Sequence, residues 1–321
     1  MRHSNGRRSG AAQPAVPERG RGGRLRRGTP RRRREEAWAW FFLFPTVLGL
    51  VVFSIGPAVV TFYYSFTSWG AFGGATFIGL ENYGDLLGDQ KFRVAMANTL
   101  RYALIGLVGI PIAIVVATLI NLPGLRGKQV YRTLYFLPVV TLPAAIAMVW
   151  RYLYNGDYGL INAVLRPLGI SGIYWLSDPT TSLLAIAMVS IWMGLGYDIV
   201  MLSAGLTAIP VDYYEAAELD GAGPVRMFLS ITLPLLSPTI FLVTVLNVIS
   251  TVQIFDLIYM MIPENSPTTL ATQSVVLLFY RTAFTEANGG YAAAMIVVLF
   301  TLILALTVVQ MKIQRRWVHY A

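Results

Sequence analysis

Few side chains in this 321-residue chain could do chemistry, and none stands in a bond-making pattern. Cysteine is absent, which removes disulfide frameworks, cysteine zinc sites and thiol nucleophiles together. The two histidines, His3 and His319, lie at the extreme ends, so imidazole catalysis inside a packed core is excluded too. A phosphate-cradling loop needs its glycines, lysine and magnesium-binding hydroxyl in the order G-x-x-x-x-G-K-[ST]. The nearest text, Gly124 to Gln129, has neither that spacing nor the hydroxyl, and no metal site is expected anywhere. Two groups of polar residues remain. Ser190, Gly194, Tyr197, Asn247, Ser250, Thr251 and Gln253 interrupt strongly apolar text, where amides, hydroxyls and an aromatic face could hold a neutral, hydroxyl-rich solute without breaking bonds. Asp212, Glu215, Ala216, Ala217, Glu218 and Gly221 crowd a short polar segment that could dock another protein.

The elements that must position these residues are membrane helices. The chain is 55% hydrophobic and 13% charged, against about 25% charged for a soluble domain. Its net charge of +9 belongs to one end, because residues 1–34 hold 12 arginines and a single acid, Glu18. That composition cannot bury enough surface to offset ordering, so residues 1–35 are expected to form a disordered, basic, cytoplasmic tail. Arg31–Arg34 abut an apolar run and read as a topology signal rather than a nucleic-acid site. The run that follows is too long for a secretory signal.

Six stretches are long and apolar enough to cross a bilayer: Trp38–Phe66, Tyr102–Ile120, Leu134–Leu153, Leu183–Leu206, Thr239–Ile262 and Tyr291–Val309. With the N-terminus inside, the cytoplasmic segments collect 19 Lys and Arg against 5 outside, and 7 against 5 without the tail. The expected fold is therefore all-α and polytopic, with six transmembrane helices over residues 36–321 and both termini cytoplasmic. Prolines in or beside the spans, Pro138 and Pro143 among them, argue for a bundle whose neighbours re-satisfy freed backbone groups.

Residues 207–238 join spans four and five on the cytoplasmic side. Asp212 with Glu215 three residues later reads as a capping box opening a short helix, and Gly221 as its left-handed end. Pro224 suits the first turn of a second helix, which Leu233-Pro234 closes. Taken alone, the segment is either a tidy interfacial connection or a docking element.

Glu215-Ala216-Ala217, three residues, Gly221, nine residues and Ile231-Thr232-Leu233-Pro234 together resemble the EAA loop of permease subunits of ATP-binding-cassette importers. The flanking text, Gly205-Leu206 to Ile209-Pro210 and Glu218 to Gly223, is similar to carbohydrate-uptake permeases. Similarity runs from about Phe77 to Trp317 and takes in FIGLENY (Phe77–Tyr83) and YRTLYFLP (Tyr131–Pro138), of the maltose and glycerol-3-phosphate permease type. The text after span five departs from it: Ile262 to Pro267 stands where the family often has a Thr-x-Gly-Gly-Pro turn.

The resemblance implies a permease subunit, not an enzyme. It would form a heterodimer with a second permease, bind two ATPase subunits and receive solute from an extracytoplasmic substrate-binding protein. ATP and Mg would be bound by the partner ATPase, and this chain would hold no cofactor and bind no nucleic acid. Glu215, Ala216, Ala217 and Gly221 would couple the ATPase to the spans, Glu215 serving as capping residue, as interface charge, or as both. Gly194 and Tyr197 match residue types that contact sugar in the maltose subunit; Ser190, Asn247, Ser250, Thr251 and Gln253 align with its pathway by position. The alternative for these polar residues is hydrogen-bonded helix glue. Asp198 and Asp256, the acids deep in spans four and five, read as structural or gating groups. No Lys or Arg lies in the middle of a span, which favours a neutral sugar or oligosaccharide over glycerol-3-phosphate or a polyol-derived solute. A secondary ion-coupled transporter is the alternative from another class.

Overall fold

The computed structural model describes residues 30–70, 73–122, 124–170 and 172–317, with side-chain surroundings from Trp38 to Arg315. Most of the expected tail, and both histidines, lie outside the described residues. The chain divides into two units at Pro57. The first holds α1 (Pro30–Leu50) and a π turn (Val51–Ile55) that leads into α2 (Gly56–Tyr64). From Trp38 to Tyr64 the helix is apolar and long enough to span, and its residues are largely exposed.

In the second unit a two-residue hairpin, β1 (Thr67–Ser68) with β2 (Thr76–Phe77), precedes α3 (Glu81–Gly88). Next come α4 (Gln90–Gly106), α5 (Gly109–Asn121), α6 (Lys128–Val140), α7 (Pro143–Leu153), α8 (Leu160–Leu165) and α9 (Ser182–Thr207). The remaining helices are α10 (Asp212–Leu219), α11 (Pro224–Met227), α12 (Leu233–Val252), α13 (Asp256–Met261), α14 (Thr269–Thr272), α15 (Val275–Tyr280) and α16 (Gly289–Trp317). At 26 residues and about 1.5 Å each, α9 crosses the whole hydrocarbon layer, so α10 lies at the opposite membrane face from the loop before α9.

Small residues let the helices close on α9. Ala113 and Ala117 of α5 are fully buried beside Ile199 and Leu202, the small-residue packing that membrane helices use without a hydrophobic drive. Gly196 meets the backbone carbonyl of Tyr135 on α6, so any side chain there would collide with main chain. The buried polar groups bind across helices: Thr99 Oγ1 accepts the Val275 N–H at 3.0 Å, and Ser274 Oγ donates to the Ile254 carbonyl at 2.7 Å. In the loop before α9, Asp178 accepts from the backbone N–H and hydroxyl of Thr180, at 2.8 and 2.7 Å. Those bonds hold its carboxyl below the usual carboxylate range.

The structure departs from the expected spans in two places. Five helices among the described residues are long enough to cross alone, and in place of the expected third span stands a pair, α6 and α7, bent by 100°. The break follows from Pro143, which pushes Leu142 into extended backbone and then begins α7. Thr141 Oγ1 recovers the freed Leu137 carbonyl at 2.8 Å. Span five is also displaced: the helix runs from Pro224 to Val252 rather than from Thr239 to Ile262. Pro234 does not close a separate helix, because a π turn over Phe228–Thr232 shifts the hydrogen-bond ladder just before it and the helix continues. The far end stops at Val252, where Ser274 takes the carbonyl of Ile254 in place of a helical N–H.

Candidate functional site

The polar segment between α9 and α12 is a short helix on a bent arm. The N-cap of α10 is Val211 in helical conformation with no side-chain capping bond, which corrects the expected capping box: Asp212 is already inside the helix. The physical reason is that the backbone continues helically through Val211, whose carbonyl takes the Tyr214 and Glu215 N–H groups, so Asp212 never acquires the extended cap geometry. The other end forms as expected. Gly221 adopts φ +75°, its N–H reaches the Glu218 carbonyl, and the Ala222 N–H reaches that of Ala217 at 2.9 Å. This paired closure satisfies the last carbonyls and turns the chain. Pro224 then opens α11 behind Gly223.

No residue of α10 is buried. Asp212, Glu215, Ala216 and Leu219, at helical spacing, form its outward face, and Leu219 is 90% exposed. Ala217 leans inward. One link that the sequence reading missed ties this helix to span five: the Tyr214 and Thr232 hydroxyls lie 2.9 Å apart. Thr232 is buried at the end of the π turn, inside the Ile231-Thr232-Leu233-Pro234 text. The only signal available was that two hydroxyl residues flank the hinge, and nothing in their spacing pairs them.

The intramembrane polar residues separate by environment. On α9, Gly194 opens onto free space, with no atom within 4 Å of where a Cβ would sit. Tyr197 is half exposed, whereas Ser190 turns inward toward the Tyr102 hydroxyl. On α12, Thr251 is buried: its hydroxyl donates to the Asn247 carbonyl at 2.7 Å and its methyl packs on Gly106. Ser250 and Gln253 are exposed at the end of the helix, and Asp256 is exposed at the start of α13. Asn247 lies between these groups, half buried, with an Oδ1 that finds no hydrogen-bond partner. The carboxyl of Asp198, 7% exposed on α9, faces the Asn247 side chain. This pairing joins two residues that sequence position had assigned to different roles.

Below Tyr197 a groove of about 620 Å³ follows the α6–α9 crossing, lined by Arg132, Thr133, Phe136, Val200, Ser203 and Thr207 among others. Tyr197, Val200 and Ala204 share one stripe of α9, so the groove continues the exposed face of the polar residues. The arrangement offers hydrogen bonds, aromatic surface and one guanidinium. Among the described residues no cluster of acids, histidines or cysteines could hold a metal ion.

Residues 109–319 match the family model described as "Binding-protein-dependent transport system inner membrane component". The chain is 32% identical over 292 residues to the probable ABC transporter permease protein YesP of Bacillus subtilis, covering 90% of this chain and 94% of that protein. It is 31% identical over 283 residues to the trehalose/maltose transport system permease protein MalF of Thermococcus litoralis, covering 88% and 95%. It is 32% identical over 281 residues to the sn-glycerol-3-phosphate transport system permease protein UgpA of Agrobacterium fabrum, covering 86% and 94%. Its fold is similar to a chain of a bacterial ABC transporter involved in the import of the acidic polysaccharide alginate, with a TM-score of 0.79 at 23% identity, covering 89% and 98%.

Proposed function

Because the chain belongs to the family of binding-protein-dependent transport system inner membrane components, it is a multi-pass permease subunit of an ATP-binding-cassette importer and not an enzyme, and we propose that its solute is a sugar or oligosaccharide. In this reading it pairs with a second permease subunit, two ATPase subunits and an extracytoplasmic substrate-binding protein, with both its termini in the cytoplasm. The observation that carries the coupling is the helix α10, wholly unburied yet tied by Tyr214 to the root of span five. A helix with an exposed outward face and a side-chain link to a span is suited to receive movement from a docked ATPase. Ala216 allows close approach, Glu215 offers charge to a basic partner, and Gly221 supplies the elbow.

The substrate pathway in this reading follows Gly194, Tyr197 and Asn247, with Ser250 and Gln253 at the end of α12 and Ser190 and Thr251 supporting from behind. The absence of a cation at the middle of the spans favours a neutral ligand, as does likeness to a trehalose/maltose permease. Arg132 in the groove supports a second reading, a phosphate-bearing or polyol-derived solute, in line with the glycerol-3-phosphate relative.

Reconstitution of the complete importer tests both readings. Uptake of a neutral disaccharide that vanadate abolishes and a protonophore spares is the expected result. Uptake driven by an ion gradient in this chain alone would overturn the ATP-coupled reading. Preferential uptake of glycerol-3-phosphate would select the second solute class.

A further inference from the structure

Among the intramembrane polar residues, α4, α9 and α12 meet around one side-chain amide. Asn247 of α12 is half buried, and its two polar ends have different neighbours. Oδ1 is enclosed without a hydrogen-bond partner and lies against Gly106, the last residue of α4, where an added Cβ would stand 3.4 Å from it. The contact between the Asn247 side chain and the Asp198 carboxyl of α9 therefore runs through Nδ2. The amide lies crosswise, its carbonyl end toward α4 and its nitrogen end toward α9.

Both walls of this clamp are fixed. One turn beyond Asn247, the buried Thr251 hydroxyl donates to the Asn247 main-chain carbonyl at 2.7 Å, which pins the side-chain rotamer and leaves the methyl group facing Gly106. A Cβ at position 106 would come within 2.6 Å of that methyl, far closer than non-bonded carbons pack. Only a glycine lets α4 seat against Asn247. On the opposite side, Asp198 is buried between the helices.

An asparagine amide has nearly the same shape either way round, but one end accepts and the other donates. Free to turn, it would offer a passing solute either end. With Oδ1 enclosed and one N–H on Asp198, the remaining N–H of Nδ2 is the polar contact that Asn247 has left to give. We propose that Gly106 and Asp198 are positioning residues for transport, holding the Asn247 amide so that it presents an N–H donor to hydroxyl or ether oxygens of the solute. This rests on the reading of Asn247 as part of the solute pathway. A donor held in place loses little freedom on meeting its acceptor, which is the advantage of fixing it in advance.

Two measurements on the complete importer in phospholipid nanodiscs test the clamp. The first needs no solute. Gly106→Ala should lower the thermal unfolding temperature, and adding Thr251→Ser, which keeps the hydroxyl but lacks the methyl, should restore most of the loss. Losses that simply add would overturn the seat of α4. The second reads solute moved per ATP hydrolysed, with trehalose and glycerol-3-phosphate as probes. A merely structural defect leaves fewer working complexes and lowers both rates together, so it does not move the ratio. Asp198→Asn, nearly isosteric, can pair with either end of the Asn247 amide and should lower the ratio about fivefold, the weight of one neutral hydrogen bond. Asn247→Ala should do the same, and the double variant should be no worse than either. An unchanged ratio in Asp198→Asn would overturn the positioning role. Should the parent import glycerol-3-phosphate and not trehalose, the sugar reading falls, while the same ratio taken with that probe still decides the clamp.

Discussion

The hydroxyl of Tyr214 lies 2.9 Å from that of buried Thr232, joining the exposed helix α10 to the π turn at the root of span five. A neutral hydrogen bond of this kind contributes about 1 kcal/mol. Its larger consequence is mechanical, because Gly221 and Gly223 make the connecting arm pliable and this link restores a second point of attachment. A push on α10 thus reaches α12 without first being absorbed at the hinge.

Removing that link should uncouple without undocking. Tyr214→Phe is expected to lower substrate-stimulated ATP hydrolysis in reconstituted complexes while the ATPase subunit remains bound, since the outward face of α10 is unchanged. Thr232→Val should do the same, and the double variant should be no worse than either, the signature of a shared contact. Additive losses would separate the two residues.

Glu215 can be examined without the complication of capping, since α10 has no side-chain cap bond. Glu215→Gln and Glu215→Ala should therefore behave alike. If the carboxylate meets a basic group on the ATPase at a partly desolvated interface, each loses about 2–5 kcal/mol of contact. The expected outcome is weaker retention of the ATPase in pull-down and poor coupling. Normal retention in both variants would remove the charge from the interface while leaving Ala216 and Gly221 as a docking scaffold.

Asn247→Ala should weaken uptake and ligand-stimulated ATP turnover in an assembled complex, because half-buried Asn247 lies between the exposed polar residues of α9 and α12 and its Oδ1 has no partner within the chain. Dissociation of the variant in detergent, with residual complexes transporting normally, would identify Asn247 as helix glue through Asp198.

The loop ahead of α9 should carry a small acid-sensitive contribution to stability. The Thr180 N–H and hydroxyl depress the Asp178 carboxyl below its ordinary value. A depressed folded-state pKa stabilises above the unfolded carboxylate value, and that gain is lost as pH falls through the folded pKa. Thr180→Val keeps the N–H but removes the hydroxyl, so acid unfolding of the loop should begin at higher pH than in the parent. Hydrogen exchange over residues 174–182 along an acid series measures it, and an unchanged profile would show the hydroxyl to be idle.

Deleting residues 2–28 while keeping Arg31–Arg34 should leave assembly and ATP-driven uptake intact, because that stretch has almost no apolar side chain to pack. Loss of uptake with normal insertion would show that the tail binds a partner.

Local properties were legible in the residues themselves. Hydropathy is a sum over neighbours in the chain, so the lipid-solvated character, the approximate places of the spans and the lack of bond-making chemistry could be read from composition and order. The Gly221 closure was legible for the same reason, since a left-handed helix end is decided within one turn. Pairing across helices was not. Whether Val211 or Asp212 caps α10, whether Pro234 stops a helix and where span five ends depend on groups such as Thr232 and Ser274 that arrive from elsewhere in the chain. The same holds for Asp198 and Asn247, 49 positions apart in sequence yet facing each other between α9 and α12. Buried polar groups must be satisfied wherever a partner lies nearest in space, and only the packed bundle decides which partner that is.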